Sequence, residues 1–402
     1  MRRKKQKAPD FSENIFFQKY SANFHFMQYL KPTHIFDGQK RWPAGHVLVC
    51  RDDGTIENII PAAEAGNEVQ ELEGWLCPGL INAHCHLELS HMHGQIPRHT
   101  GLIAFIEQVM QHRNALHTEK ETAATEAALQ MWNNGINAVG DISNTTDSIR
   151  VKQQSRIHYV NFIEISGFVA GIAQARLDNG LYVEQEFIQA ELDAFLVPHA
   201  PYSVSAALFE KIAALGQPLI SIHNQETMDE DELLAFGSGD FRGFYERMGI
   251  RIDGFTPTGR SSFQSWQPYF AQSRKIAVHN TFISEEDLAF AGDDTWYCLC
   301  PQANRYIENR LPPVKRIMKH TGNICVGTDS LASNDTLDVL KELRMLQQAD
   351  PTLATDVLLQ WATANGAAAL GLQQQYGHFK KGMKPGILLI DPEELSLLKR
   401  IQ

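Results

Sequence analysis

The sequence predicts an α/β fold, a (β/α)8 TIM barrel with a small β-sandwich domain built from both chain ends. Three observations support this: eight short apolar segments, helical patterns between them from about residue 137 onward, and ionisable residues where most of the segments end. Repeated β-α units are typical of a parallel sheet. The length of 402 residues suits one barrel of roughly 250 to 350 residues together with an accessory module.

Each predicted barrel strand is apolar and ends in polar or ionisable residues. The eight candidates are residues 80–86, 136–143, 159–166, 194–201, 218–225, 275–281, 295–301 and 323–329. Their ends carry His84, His86, Asp141, Glu164, His199, His223, Glu226, His279 and Asp329. At one strand such residues would only mark where the chain reaches solvent. Because the carboxyl ends of barrel strands meet on one face, their recurrence predicts an active site there.

Two regions outside the predicted barrel define the domain boundaries. Residues 1–77 contain short strand-like pieces between turn formers, and residues 370–402 read as a turn followed by a strand. We expect these regions to pair into the β-sandwich domain, leaving residues 78–369 for the barrel. Residues 229–272 exceed the usual β-α connection of about 2 to 6 residues and are a candidate lid over the barrel mouth.

Composition and charge narrow the class of partner. Hydrophobic residues make up 43% of the chain and charged residues 21%, so a large core is feasible. The formal net charge of -11 argues against nucleic acid or an anionic membrane and favours a small-molecule substrate. The cysteines are scattered and lie mostly in apolar runs, which indicates free thiols in a reducing compartment. No apolar stretch follows the basic residues 1–11, so we expect a solvated tail and a cytoplasmic location.

The segment NAHCHLELS contains the first candidate metal ligands. His84 and His86 are separated by one residue, so both imidazoles project from the same face of a strand. Such a pair also occurs as hydrogen-bonded core residues, but its place at the end of the first barrel strand favours a metal site. His223 and Asp329, from two other strand ends, would complete a set of three nitrogens and one oxygen. That set suits one Zn²⁺ and also accommodates Fe²⁺, Mn²⁺ or Co²⁺.

Hydrolysis at such a site needs a proton donor as well as a metal. A bound divalent metal lowers the pKa of water from about 15.7 toward about 7. Expelling an amine then requires an acid within reach of the substrate. Glu226, three residues after His223, is placed for this role, although an ordinary surface glutamate is the alternative. His279 is a candidate for polarising the water or the developing charge, and its alternative is a structural histidine of the barrel mouth.

Five motifs, PGLINAHCH, HAPYS, IHNQE, AVHN and GTDS, follow one another at the predicted strand ends. In these motifs the chain resembles the amidohydrolase superfamily, from about residue 47 to residue 391. The HNQE form and the absence of a lysine in the fourth strand are similar to its mononuclear branch of deaminases and triazine chlorohydrolases. The resemblance implies one divalent metal ion, with zinc first and iron or manganese as alternatives. It implies four ligands: His84, His86, His223 and Asp329.

The resemblance also implies roles for three residues around the metal. Asp329 would contact the nucleophilic water, Glu226 would shuttle a proton to a ring nitrogen, and His279 would hydrogen-bond the water or the substrate. A composite β-sandwich and a homodimer are further features of the family. One departure is the tail sequence KPGILLID, where members commonly have an alanine and an aspartate before the final strand.

Two further segments, HLELSHMHG and PQANRYIENRLPP, are similar to the aminodeoxyfutalosine deaminases of menaquinone biosynthesis, which act on a nucleoside bearing a benzoate. This resemblance implies four substrate-binding residues: Glu88, His199, Arg305 and Arg98. Glu88 would bind the ribose hydroxyls, His199 the sugar or base, and one of the arginines the carboxylate. Alternatively, Glu88 and Arg98 pair on the surface and Arg305 caps a helix.

The sequence therefore predicts a metal-dependent aminohydrolase acting on C–N bonds other than peptide bonds. It would replace an exocyclic amino group of a purine-type nucleoside or related N-heterocycle by oxygen and release ammonia. Candidate substrates are 6-aminodeoxyfutalosine, S-adenosylhomocysteine and adenosine. The enzymatic alternatives are a triazine-type chlorohydrolase, with the same ligand set, and a cyclic amide hydrolase, which generally needs a carbamylated lysine. A metal-free binding protein on the same fold is the alternative from another class, and the presence of all four ligands argues against it.

Overall fold

The structure, a computed structural model, describes residues 26–402, so the predicted basic tail of residues 1–11 lies outside the described residues. The N-terminal flank contains β1 (Met27–Lys31), β2 (His34–Ile35), β3 (His46–Arg51), β4 (Ile56–Pro61), β5 (Gln70–Glu71) and β6 (Trp75–Pro78). The central strands are β7 (Leu80–Cys85), β8 (Ile136–Ser143), β9 (His158–Ile165), β10 (Asp193–Pro198), β11 (Leu219–Asn224), β12 (Arg274–His279), β13 (Thr295–Leu299) and β14 (Ile324–Val326). The tail contains β15 (Ile387–Asp391) and β16 (Ser396–Arg400).

Helices follow most of the central strands, as the β-α pattern of the sequence predicts. They are α1 (Leu102–His112), α2 (His117–Asn133), α3 (Ile149–Gln154), α4 (Ala173–Gln189), α5 (Ala206–Ala213), α6 (Asp229–Asp231), α7 (Asp240–Arg247), α8 (Ser262–Trp266), α9 (Glu285–Phe290), α10 (Pro301–Glu308), α11 (Val314–His320), α12 (Val339–Ala349), α13 (Thr355–Gln360) and α14 (Gly366–Ala369). Short 3-10 turns cover Ala62–Glu64, Leu87–Met92, Ala170–Ile172, Pro201–Ser203 and Gln267–Phe270. Single π turns cover Glu232–Phe236 and Trp361–Asn365.

The eight central strands form two parallel four-stranded sheets, ordered β7-β8-β9-β10 and β11-β12-β13-β14. Between the edge strands β7 and β14, the backbone N–H groups of Thr328 and Asp329 donate to the carbonyl of His84, at 3.0 and 3.1 Å. Between the edge strands β10 and β11, the N–H of His223 donates to the carbonyl of His199 at 3.0 Å. A Cβ at Gly327 would lie 2.7 Å from the Cβ of His84, so glycine allows the first of these approaches.

Several central strands end slightly earlier than predicted, and the backbone gives the reason. β11 ends at Asn224, and the next residue, Gln225, has a φ of 46°. β12 ends at His279, whose own φ is 74°, and Asp329 beyond β14 has a φ of 57°. Left-handed backbone cannot continue an extended ladder, and residues other than glycine adopt it only where the surroundings enforce it. Gln225, His279 and Asp329 therefore lie in left-handed turns at or shortly after the ends of their strands.

The helices cover the outside of the central sheets with apolar faces. In α2, the buried residues Ala124, Ala127, Ala128 and Met131 recur at helical spacing and join the main core with the strand side chains. Within residues 26–402, no helix has the length and apolar composition that crossing a membrane would require.

The two chain flanks form two further four-stranded sheets, ordered β4-β3-β1-β5 and β16-β15-β6-β2. In the second sheet, β15 from the tail pairs antiparallel with β6, with Ile387 opposite Pro78 and Ile390 opposite Trp75. A separate apolar cluster joins side chains of both flanks, among them Leu48, Leu76 and Leu389. Strands from the two flanks therefore pair with each other in one sheet.

Residues 229–272 pack against the face where the central strands end. Phe241, Phe244 and Tyr245 of this insertion share an apolar cluster with Tyr202 and Phe105. The hydroxyl of Tyr245 donates a hydrogen bond to the carbonyl of Tyr202. The insertion therefore forms a wall beside the strand ends, and its opening and closing as a lid stay a prediction.

Candidate active site

The four predicted metal ligands converge at the carboxyl ends of β7, β11 and β14. The Nε2 atom of His86 lies 3.2 Å from Nε2 of His84 and 3.1 Å from Nε2 of His223. Oδ1 of Asp329 lies 3.4 Å from Nε2 of His86 and 3.7 Å from Nε2 of His84. All four side chains are buried. His279 lies next to these four residues, since one ligand atom from each of His84, His223, His279 and Asp329 lies within 4.8 Å of the others.

These distances fit a shared divalent ion. Ligand atoms bound to one ion at about 2.0 to 2.2 Å are themselves about 3 to 3.5 Å apart. Burial lowers the pKa of His84, and it lowers the pKa of His86 to about 3, so both imidazoles are neutral and offer lone pairs. The donor set of imidazole nitrogens and one carboxylate oxygen is one that Zn²⁺ accepts. The residues present can therefore hold one divalent metal ion.

The orientation of His223 and Asp329 is fixed by hydrogen bonds behind them. Nδ1 of His223 donates to the carbonyl of His199 at 2.9 Å and lies 3.3 Å from Oε2 of Glu164, so its Nε2 faces the cluster. Oδ2 of Asp329 accepts from the hydroxyl of Ser333 at 2.5 Å, which leaves Oδ1 toward the histidines. Burial alone would lower the pKa of His223, but the hydrogen bond and charge of Glu164 outweigh it and raise that pKa to about 10. The carboxylates around His223 therefore favour a positive charge at its imidazole.

Glu226 and His279 form a buried pair beside the cluster. Oε1 of Glu226 lies 3.1 Å from Nε2 of His279, and the ring of His279 is held from behind by Asn304, whose Nδ2 is 3.3 Å from Nδ1. Burial, together with the charges of Glu230 and Asp329, raises the pKa of Glu226 well above its usual range. Burial lowers the pKa of His279. The pair can therefore hold one proton at neutral pH, on the carboxyl of Glu226.

A cavity of 720 Å³ opens above these groups, a size typical of small-molecule sites. Its polar lining includes His86, His199, His223, Glu164, Glu226 and Asp329. Its apolar lining includes Leu89, Leu102, Phe105, Ile106, Val109, Phe168, Tyr202, Phe244 and Tyr245. Three exposed arginines, Arg113, Arg176 and Arg251, also line it. Carboxylate and imidazole side chains thus line the bottom of the cavity, and apolar side chains line its walls. The arginines lie where the cavity opens to solvent.

Among the four predicted substrate-binding residues, His199 lines this cavity, and its Nδ1 lies 2.6 Å from the hydroxyl of Ser203. The carboxylate of Glu88 instead accepts the backbone N–H groups of Asn144 and Thr145, at 3.1 and 3.2 Å, and does not line the cavity. Its role toward ribose stays a prediction.

The two predicted arginines also lie away from the cavity lining. Arg98 forms a forked ion pair with Asp335, at 2.5 and 2.6 Å, and its guanidinium lies over the ring of Tyr306. Arg305 is exposed on α10. The alternative pairing of Arg98 with Glu88 is therefore wrong, since the partner of Arg98 is Asp335.

Sequence reasoning missed two features of the cavity. The sequence places Glu164 at a strand end without indicating its role, although it contacts His223 and accepts a hydrogen bond from Nδ2 of Asn144 at 3.0 Å. Its isolated position at the end of an apolar strand was the available signal. Arg113, directly after α1, and Arg176, in α4, carried no comparable signal, because the approach of these segments to the cavity depends on the fold.

The fold and the site define a class of hydrolase with a histidine and aspartate cluster at the ends of parallel strands. Residues 75–401 match the sequence profile of the Amidohydrolase family. The chain therefore belongs to the Amidohydrolase family, and the prediction from its strand-end motifs is confirmed.

The relatives of this chain include deaminases, as the predicted branch of the family does. The chain is 27% identical over 310 residues to an adenosine deaminase of Helicobacter pylori, covering 74% of each chain. It is 26% identical over 356 residues to an aminodeoxyfutalosine deaminase of a Nitratiruptor species, covering 85% of each. The crystal structure of Helicobacter pylori aminofutalosine deaminase in complex with methylthio-coformycin superposes with a TM-score of 0.78 at 23% identity. That superposition covers 90% of this chain and 92% of the other, and shows the shared fold.

Proposed function

We propose that this chain is a metal-dependent hydrolytic deaminase that replaces the exocyclic amino group of a purine-type nucleoside by oxygen. The observation that carries the proposal is the 3.1 Å contact between Glu226 and His279 beside the His and Asp cluster. A carboxyl group whose pKa is raised by burial, beside four candidate metal ligands at the floor of a nucleoside-sized cavity, supports acid-base catalysis of this reaction. The relatives named as adenosine and aminodeoxyfutalosine deaminases support the same reaction.

The proposal includes an architecture for the central and flanking strands. We take the two parallel sheets as halves of one closed eight-stranded barrel, since hydrogen bonds join them at both pairs of edges. Residues 78–369 would form this barrel. Residues 26–77, the described part of the predicted unit 1–77, and residues 370–402 would form the composite β-sandwich, which the pairing of β6 with β15 supports. We carry these domain bounds over from the sequence prediction.

His84, His86, His223 and Asp329 would hold one divalent metal ion, with zinc as the first candidate and iron or manganese as alternatives. When bound, the metal supplies Lewis acidity that lowers the pKa of the attacking water. Oδ1 of Asp329 is turned toward the same space, because Oδ2 is occupied by Ser333, and would accept a hydrogen bond from that water.

Glu226 would move the protons of the reaction. Its carboxyl gives a proton to the ring nitrogen beside the carbon under attack, while the water adds to that carbon. The resulting carboxylate takes the proton that the water releases and passes it to the amino group. The C–N bond then breaks, ammonia leaves, and Glu226 recovers a proton from the new hydroxyl as the C=O bond forms. His279, neutral and 3.1 Å away, would keep the carboxyl oriented and hydrogen-bond the water or the substrate.

The arginines of the cavity favour a nucleoside that carries a carboxylate. Arg113 and Arg176 line the cavity and form no ion pair within residues 26–402, while Arg251 is bound to Asp253 at 2.6 Å. Charge-assisted contacts of arginine with carboxylate are among the stronger hydrogen bonds in proteins. We therefore rank 6-aminodeoxyfutalosine and S-adenosylhomocysteine above adenosine, and the first of these would place the chain in menaquinone biosynthesis.

Ammonia release, with metal content measured on the same sample, tests the proposal across 6-aminodeoxyfutalosine, S-adenosylhomocysteine, adenosine, guanine and cytosine. Release from a purine nucleoside with one metal ion per chain is the expected result. Full metal content without ammonia from any of these compounds would point to a triazine or cyclic amide hydrolase. Absence of bound metal would favour a binding protein on the same fold.

A further inference from the structure

Glu230, in the short helix α6 after β11, binds two consecutive backbone N–H groups with its carboxylate. Oε2 accepts from the N–H of Gln225 at 2.9 Å, and Oε1 accepts from the N–H of Glu226 at 2.7 Å. The side chain of Glu230 is fully buried and does not line the cavity. One carboxylate thus fixes the backbone at the proposed proton donor without reaching the substrate space.

The backbone at Gln225 needs stabilising contacts of this kind. Gln225 has a φ of 46°, a left-handed conformation that is unfavourable for a residue with a side chain. Its side-chain Nε2 donates to Oδ2 of Asp287 at 2.8 Å, and its carbonyl accepts from the N–H of Phe282 at 3.0 Å. With Glu230, these contacts hold Gln225 on several sides. The turn directs the next side chain, Glu226, toward His279.

Glu230 belongs to the insertion of residues 229–272, and a second segment of that insertion holds its carboxylate. The hydroxyl of Ser262, at the start of α8, donates to Oε2 of Glu230 at 2.8 Å, and the N–H of Ser262 donates to Oδ1 of Asp231 at 2.6 Å. Glu230 is therefore held between the turn after β11 and the part of the insertion near α8. Burial raises the pKa of Glu230 itself to about 7, and the charge of its ionised form adds to the burial that raises the pKa of Glu226.

We propose that Glu230 is a positioning residue for the proton donor, because its carboxylate, held by Ser262, fixes the backbone of Gln225 and Glu226 so that the Glu226 carboxyl stays against His279. This inference rests on the proposed function, in which Glu226 moves the protons. Glu230 acts only through Glu226 and touches neither substrate nor metal ligands.

Glu230→Gln is the first test, because it keeps the size of the side chain. A glutamine offers one oxygen and one N–H₂ group to two backbone donors, so one of the two N–H groups loses its acceptor. We expect kcat to fall about 10- to 100-fold, as for a misplaced catalytic group, with KM and bound metal unchanged. Glu232→Gln, at an exposed glutamate of the same insertion, is the matched control and should leave kcat unchanged.

A double-mutant cycle separates positioning from a general structural role. If Glu230 acts through Glu226, the Glu226→Gln, Glu230→Gln double variant has the same residual rate as Glu226→Gln alone. Losses that multiply would overturn the proposal, since Glu230 would then act independently of the proton donor. Ser262→Ala keeps both backbone contacts of Glu230 and should cause a smaller loss than Glu230→Gln.

Amide hydrogen exchange gives a readout that needs no turnover. Exchange at Gln225 and Glu226 should be faster in Glu230→Gln than in the wild type and unchanged in Glu232→Gln. Unchanged exchange at both residues in Glu230→Gln would overturn the positioning role. Failure of the proposed function appears separately, as a wild-type protein that releases no ammonia from any nucleoside, and the exchange result still decides the role of Glu230.

Discussion

The Oε1 atom of Glu226 lies 3.1 Å from Nε2 of His279, and both side chains are buried beside the cluster of predicted metal ligands. Burial raises the pKa of the carboxyl and lowers that of the imidazole, so the two shifts act in the same direction and place the proton on Glu226. A carboxyl group that keeps its proton at neutral pH can serve as a general acid. This relationship makes Glu226 the side chain whose substitution is most informative.

Glu226→Gln should retain the metal and lose turnover. The substitution keeps the size of the side chain and removes the transferable proton, and general acid catalysis typically contributes about 10²- to 10⁴-fold to the rate. Steady-state ammonia release and metal analysis on one preparation measure both quantities. Full activity in this variant would remove the proposed proton shuttle.

The pH profile should have a descending alkaline limb that depends on Glu226. The protonated carboxyl is the active form, and burial with the charges of Glu230 and Asp329 raises its pKa. Activity is therefore present below this raised pKa and is lost as the pH rises through it. The residual rate of Glu226→Gln, measured over the same range, should lack the limb. If the wild type and Glu226→Gln show the same alkaline limb, another group is responsible for it.

His86→Ala should bind far less metal than the wild type. Nε2 of His86 lies 3.1 to 3.2 Å from the Nε2 atoms of His84 and His223, so its loss opens one position of the proposed set. His93→Ala, at an exposed histidine of the following loop, is the control and should bind metal normally. Elemental analysis of both variants decides the prediction, and full occupancy in His86→Ala would contradict the ligand set.

Breaking the buried ion pair of Lys152 and Asp141 should destabilise the fold strongly, because it leaves one buried charge without its partner. Their Nζ and Oδ2 atoms lie 2.6 Å apart with both side chains fully buried, and Oδ1 of Asp141 accepts the N–H of Leu87, directly after His86. Removing one partner of such a pair typically costs about 3 to 5 kcal/mol in the free energy of unfolding. Urea unfolding of Lys152→Met measures the loss. Lys120→Met, which removes a more exposed pair with Asp147, should cost at most about 1 kcal/mol.

The metal-ligand candidates could be predicted from sequence because their geometry follows from strand periodicity and chain order. His84 and His86 share a strand face by their spacing, and His223 and Asp329 stand at ends of other parallel strands. The left-handed turns at Gln225 and Asp329 could not be predicted, since no local sequence preference calls for them there. They depend on contacts from distant parts of the chain, such as Glu230 with the backbone of Gln225.

The substrate-binding predictions were less informative because they concern side chains on loops and helices. The backbone N–H groups of Asn144 and Thr145, which come from a neighbouring strand end, occupy the carboxylate of Glu88. Arg98 has a closer partner in Asp335. An arginine reaches a cavity only if tertiary packing brings its segment there. Sequence patterns do not predict the path of such loops and helix ends.

Arg113 and Arg176 should determine the preference for nucleosides that carry a carboxylate. Both line the cavity, and a hydrogen bond to a charged group contributes about 1.5 to 3 kcal/mol, which corresponds to about a 10- to 150-fold change in kcat/KM. Arg113→Gln and Arg176→Gln should lower kcat/KM for S-adenosylhomocysteine or 6-aminodeoxyfutalosine and leave adenosine unaffected. Arg98→Gln and Arg305→Gln are the matched controls, since neither arginine lines the cavity. If a control variant loses the carboxylate preference instead, the carboxylate is bound by Arg98 or Arg305, as the sequence predicted.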